Sequence, residues 1–104
     1  MPSAGGFVAV LVIELHFPEA YGLKSKRKEL SSIKSQLHGR LGAAVAETDH
    51  QDLWQRATLT ASLTSGSLRR LSSAVDELER WLIGRCPDGT HVERLLASVE
   101  DLRG

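Results

Sequence analysis

No stretch limits the fold more than Phe7 to Phe17. It is rich in Val and Ile, as strands are. Side chains alternate between faces along a strand. One face here is Phe7, Ala9, Leu11, Ile13, Leu15 and Phe17, apolar throughout. The other is Val8, Val10, Val12, Glu14 and His16, apolar first and polar at its end. The first set is expected to meet the core, because a slip of one residue would exchange the faces. The second becomes a sheet surface carrying Val8, Val10 and Val12. Such a patch is either covered by a partner or tolerated. Pro18 stops the strand, since it cannot donate to a ladder.

A loop leads to a helix expected over about 25–40, with Leu30, Ile33, Leu37 and Leu41 at helical spacing. Ser25 is the expected N-cap, and Gly39 and Gly42 the stop. Ala43 to Thr48 reads as an edge strand. Arg56 to Thr64 alternates cleanly, with Ala57, Leu59, Ala61 and Leu63 on its inward face. Ser65-Gly66-Ser67 is a turn and cap, and a second helix runs from Leu68 to Arg85 with Leu71, Val75, Leu78 and Leu82 as its core stripe. Pro87-Asp88-Gly89 ends it. The segment from Thr90 fits a helix by spacing and also a strand face. A final strand over 91–100 completes two split βαβ halves. With right-handed crossovers this gives a ferredoxin-like βαββαβ domain, a four-stranded antiparallel sheet with both helices on one face. The expected division is a flexible lead-in at 1–6, one domain over 7–100 and a tail at 101–104. A chain of 104 residues holds one such domain and not two.

Composition narrows the function classes. Thirteen Lys+Arg balance thirteen Asp+Glu, so any anion site is a local cluster and not a whole-protein field. Cys86 is the sole cysteine, which excludes an internal disulfide and a cysteine-rich metal site. The apolar run at 7–13 is too short to span a bilayer and has no basic residue before it, so the expected location is the cytoplasm, with no membrane association.

Two clusters carry the functional question. Lys24, Lys26, Arg27 and Lys28 crowd the start of the first helix, where the macrodipole favours carboxylates. This is either a solvated basic turn or an anion site where backbone N–H groups and cations face one phosphate. The stretch Glu47-Thr48-Asp49-His50-Gln51-Asp52-Leu53-Trp54-Gln55-Arg56-Ala57 is the densest polar and aromatic run in the chain. Its Asp49, His50 and Asp52 match no metal-loop spacing, and such loops more often bond their own backbone. Leu53 and Ala57 are expected inward, with Trp54 bracing the turn as a core plug.

Three segments carry a family resemblance. They are Val12-x-Glu14-Leu15-His16-x-Pro18, Leu23-Lys24-x-Lys26-Arg27, and the stretch from Val45 through Asp49, His50, Gln51, Asp52 and Trp54 to Ala57. Together they resemble the YlxP-like family, small bacterial proteins filed as a domain of unknown function. The resemblance covers nearly the whole chain and is poorest at the C-terminus. It implies a ferredoxin-like fold, the order derived above. It also implies genes set beside those for translation initiation and ribosome maturation. It supplies no catalytic residue, because no reaction is established for the family.

No catalytic residue, metal ligand or cofactor motif emerges from the residues themselves. Cys86 has no histidine tied to it, and no Gly-x-Ser-x-Gly turn is present. If the first and third strands are neighbours, Glu14, His16 and Arg56 converge on the open sheet face, as a cross-strand ion pair or as the polar end of a binding face. RNA-recognition sheets of this topology stack bases on aromatic residues, but the outward positions here are Val8, Val10, Val12, Thr58, Thr60 and Ser62. RNA would instead be held by phosphate contacts from the basic turn. The expectation is a non-enzymatic accessory binding protein that touches RNA or a ribosomal particle. The alternative is a homo-oligomeric interaction module that buries Val8, Val10 and Val12 and has no nucleic-acid role.

Overall fold

A computed structural model describes residues 5–104. Part of the 1–6 lead-in therefore lies outside the described residues. The elements are β1 (Phe7–His16), α1 (Leu23–Leu41), β2 (Ala44–Asp49), β3 (Arg56–Ser65), α2 (Leu68–Arg85), β4 (Thr90–Ser98) and α3 (Val99–Arg103). The sheet order is β2-β3-β1-β4, and every neighbouring pair is antiparallel. This is the ferredoxin-like βαββαβ arrangement, with one short helix appended.

The core follows from the two-faced strands. Ala9, Leu11, Ile13 and Leu15 of β1 and Ala57, Leu59, Ala61 and Leu63 of β3 are all buried. Leu30, Ile33 and Leu37 of α1 and Leu71, Val75, Leu78 and Leu82 of α2 close over that face. The helices are tied together at the rim, where Arg85 of α2 reaches Glu29 of α1 at 2.8 Å. Arg94 of β4 pairs with Asp76 and Glu79 of α2 and fixes the last strand under the second helix.

The ends of the elements depart from expectation in physically readable ways. α1 begins at Leu23, two residues before Ser25, and its N-cap is Gly22 with no side-chain cap. The inward stripe explains this. Lys26, Leu30, Ile33 and Leu37 recur at the spacing of one helix face, and the Lys26 N–H donates to the Gly22 carbonyl at 3.1 Å, so the first turn already closes ahead of Ser25. Gly42 alone ends α1, in the left-handed conformation that favours glycine (φ 69°), while Gly39 lies inside the helix. α2 begins and ends where its pattern placed it, with Ser67 accepting from the Arg70 N–H.

The expected strand at 91–100 is shorter. β4 stops at Ser98, which caps α3 through a reciprocal pair with Asp101. Each side chain takes a backbone N–H of the other residue, which satisfies two otherwise orphan donors. The Ser98 N–H holds the Asp101 carboxyl below the usual carboxylate range. Val99 therefore belongs to a helix, and its N–H donates to the Gly6 carbonyl at 2.9 Å.

Gly89 is a glycine whose missing side chain the fold demands. An added Cβ would stand 2.8 Å from the His16 Cβ, and its φ is +155°. The absence lets its carbonyl take the His16 N–H at 3.0 Å and join the α2–β4 turn to the end of β1. Among the described residues, no helix is long and apolar enough to cross a membrane.

Candidate nucleic-acid interface

One end of the sheet gathers most of the polar residues singled out by the sequence. The end of β1, the loop before α1, the β2–β3 loop and the α2–β4 turn all meet there. Backbone and side-chain hydrogen bonds hold them in register. Phe17 N–H donates to the Gln55 carbonyl at 2.7 Å. The Gln55 side-chain amide donates to the carbonyls of Pro18 (3.2 Å) and Ala20 (3.4 Å). The loop carrying Tyr21 and the loop carrying Trp54 are thus fastened to each other.

Lys26 is the anchor of this end, which corrects the expectation that it joins an anion site. Its side chain is buried, with 1% exposure. The ammonium donates to the His50 carbonyl and lies 3.0 Å from the Glu47 Oε2. That carboxylate oxygen is buried and has no other partner among the described residues, so its compensation is the ionic contact. A buried ammonium is tolerated because it is paired and hydrogen-bonded. Glu47 faces it because β2 places Val45 and Glu47 opposite Ala61 and Leu59, on the helix-covered face.

His50 is held from both ends. Its φ is 61°, a left-handed conformation that histidine adopts more readily than most non-glycine residues. The Asp49 carboxylate takes its N–H at 2.7 Å, the self-bonding reading of this loop. Its ring reaches back to the open sheet face, where Nδ1 lies 2.9 Å from the Thr58 hydroxyl. Thr58 donates its single proton to the Glu14 carboxylate at 2.8 Å. His50 Nδ1 must therefore be the donor to Thr58, which fixes the tautomer through a chain of His50, Thr58 and Glu14. Gln51 donates to the Glu47 carbonyl at 3.5 Å across the same loop.

The expected meeting of Glu14, His16 and Arg56 takes a different form. β1 and β3 are neighbours, but their register sets Glu14 opposite Thr58 and His16 opposite Arg56. Glu14 is satisfied by Thr58 and lies 4.0 Å from His50. Among the described residues, the side chains of His16 and Arg56 have no hydrogen-bond or ion-pair partner. They line a groove of about 510 Å³ together with Asp52, Leu53, Trp54 and Gln55.

That groove corrects two further expectations. Leu53 is 45% exposed and Trp54 52% exposed, so neither plugs the core, while Ala57 is buried as expected. The loop leaves the alternating pattern between Asp49 and Arg56, so no strand face carries these two side chains inward. Tyr21, at 83% exposure, stands on the adjoining loop. Lys24, Arg27 and Lys28 are exposed on the first turns of α1, and among the described residues they too are unpaired. A second cavity, of about 290 Å³, lies on the other side of His16, between Phe17–Ala20 and the Arg85–Asp88 turn. Cys86 lines it, and burial pushes its thiol pKa up, so it stays protonated and a poor nucleophile. Among the described residues, no group of three or more His, Cys, Asp or Glu side chains is gathered to hold a metal ion.

Sequence reasoning missed the Lys26–Glu47–His50 lock and the exposed aromatics. The first had a signal: counting back four residues from Leu30 puts Lys26 on the buried stripe.

The three segments that carry the family resemblance all fall inside one match. A family model described as a protein of unknown function, DUF503, covers residues 8–94. The chain belongs to that family. The match ends within β4, so α3 lies beyond it. No curated protein matches this DUF503 domain. Among solved structures it is similar to the de novo designed protein Foldit4, at 10% identity with a TM-score of 0.57, over 89% of this chain and 97% of that one. A de novo designed protein with ferredoxin fold, LFR1 1, aligns at 14% identity with a TM-score of 0.48, over 88% and 85%. The Foldit4 likeness concerns the fold alone.

Proposed function

We propose that this DUF503 protein is a non-enzymatic accessory binding protein of the bacterial cytoplasm that docks on RNA or a ribosomal particle. The observation that carries the reading is a pairing of free cations with free aromatic rings. Among the described residues Lys24, Arg27 and Lys28 have no partners, and they follow directly on a loop whose Tyr21 is exposed and which is bonded to the Trp54 loop. Cations that hold phosphate and rings that stack on bases are the two parts of a sequence-tolerant single-strand site. The resemblance to the YlxP-like family supports the same setting through its translation-linked genes. Lys26 contributes by holding the surface together and not by touching RNA.

Binding to ribosomal subunits and to ribosomal RNA, measured over a range of salt, tests this. Lys24, Arg27, Lys28 and Arg56 as four phosphate contacts imply a loss of about 50-fold in affinity on a fourfold rise in salt, from a slope of ~0.7 per contact for single strands. The variant Lys24→Ala/Arg27→Ala/Lys28→Ala should bind more weakly and with a shallower slope. Absence of binding at low salt, or an unchanged triple variant, contradicts the proposal.

A second reading, self-association through the open sheet face, is favoured by β4. Leu95 is 50% exposed and stands opposite Val10, and Ala97 stands opposite Val8, so the valine patch extends across two strands. Sedimentation at high concentration tests it: a dimer that Val10→Lys dissolves supports the reading, and a wild-type monomer excludes it.

A further inference from the structure

We infer that the groove between Trp54 and Arg56 is a base pocket selective for guanine, an assignment that rests on the RNA reading above and specifies which nucleotide the surface takes. The groove has three chemically distinct parts. Trp54 supplies an exposed aromatic face, backed by the half-exposed Leu53. Asp52 supplies a carboxylate with no partner among the described residues. Arg56 supplies a cation, unpaired among the described residues, on the same rim, opposite His16 in the sheet register.

The acceptor decides the base. A carboxylate has only lone pairs to offer, so it recognises an edge with adjacent donors. Guanine alone presents such an edge, through N1–H and the N2 amino group. Adenine and cytosine set an amino donor beside a ring-nitrogen acceptor, and uracil sets its single N–H between two carbonyls. Against those edges, part of the Asp52 carboxylate would face a lone pair. Stacking on Trp54 is tolerant of sequence, so it provides affinity while Asp52 provides the choice. Arg56 is placed for the phosphate that accompanies the base, and the cations of α1 continue the backbone contacts on the neighbouring element. The groove is pre-formed, because Gln55 and the Lys26–His50 contact fix both of its supporting loops.

Free guanine nucleotides and guanine within RNA share this chemistry, and the experiment separates them. Trp54 emission is read in a Trp81→Phe background, because Trp81 packs against the core and would otherwise contribute signal. The probes are uridine heptamers with a central G, A or C, and GMP. The G heptamer should bind about 5- to 100-fold more tightly than the others, the range that a good bidentate base contact provides. Asp52→Asn should bring the three heptamers to nearly equal affinity, because an amide presents a donor where the carboxylate had an acceptor. Trp54→Ala should weaken all of them by a similar factor, and Trp54→Phe should restore most of the loss. Both side chains are exposed, so these variants should melt with the wild type.

Heptamers bound alike by the wild type, or a G preference that survives in Asp52→Asn, overturn the guanine assignment. If ribosomal subunits still bind through Lys24, Arg27 and Lys28, the RNA reading stands without it. If neither heptamers nor subunits bind at about 50 mM salt, where phosphate contacts are strong, both fall together. GMP bound as tightly as the G heptamer, with no effect of the triple alanine variant, upholds guanine recognition and moves it from RNA to a free nucleotide.

Discussion

Replacing Lys26 by Met keeps the long unbranched stem on the inward stripe of α1 and deletes only the ammonium. The wild-type ammonium satisfies two groups, the His50 carbonyl and the buried Glu47 Oε2. The variant loses a hydrogen bond from a charged donor, worth about 1.5–3 kcal/mol, and leaves a carboxylate oxygen buried without its counter-charge. Breaking one side of a buried pair costs roughly 3–5 kcal/mol. The Glu47 side chain is 19% exposed, so water relieves part of that penalty. A loss of about 3 kcal/mol follows, a large share of the 5–15 kcal/mol typical of a domain. For a domain of this size it lowers Tm by about 12–24 °C. Thermal unfolding followed by circular dichroism gives the number. A second variant isolates the cause: Lys26→Met with Glu47→Leu removes both charges and should recover more than half of the loss, because no buried carboxylate is left orphaned. Lys26→Met melting within about 3 °C of wild type, less than the shift of a single kcal/mol, would refute the reasoning.

Gly89→Ala should cost about 1–3 kcal/mol, from the positive φ together with the approach to His16, and its melting temperature checks this. Thr58→Val removes the hydroxyl between Glu14 and His50 and should destabilise by about 1 kcal/mol, since water reaches both orphaned partners; imidazole chemical shifts should also report loss of the fixed His50 tautomer. Cys86 should resist alkylation at neutral pH until the protein unfolds. Its folded-state pKa is raised, so its contribution to stability is present at neutral pH and is lost as pH rises through that pKa, a loss that a Cys86→Ala comparison under alkaline conditions should show disappearing.

The sequence was most legible where burial imposes a period. β1, β3 and α2 carry single-faced apolar patterns, and their inward residues are buried except the partly buried Phe7, while Thr58 is buried from the opposite face of β3. β4 was ambiguous because it alternates poorly: Leu95 and Leu96 are adjacent and both are partly exposed, on opposite faces of an edge strand. The start of α1 was misjudged because a buried lysine breaks the rule that charged residues face water, even though its position obeys the helical period. The candidate site was half legible. The neighbourhood of β1 and β3 was right, but the register sets Glu14 opposite Thr58, whose hydroxyl takes up its carboxylate. Trp54 could not be placed from pattern, because its loop is held by Gln55, Lys26 and the His50 backbone and not by an apolar face. Contacts distant in sequence fixed its exposure, and no local rule encodes them.

The claim that most needs testing is that the surface shared by Tyr21, Trp54 and the basic turn of α1 contacts RNA. Ultraviolet crosslinking of the protein to ribosomal RNA, with the attached residues mapped by mass spectrometry, addresses it directly. The account predicts crosslinks concentrated at Tyr21 and Trp54 and lost in the Lys24→Ala/Arg27→Ala/Lys28→Ala variant. Crosslinks confined to the open face around Val10 and Leu95, or none in a preparation that binds RNA, would contradict it.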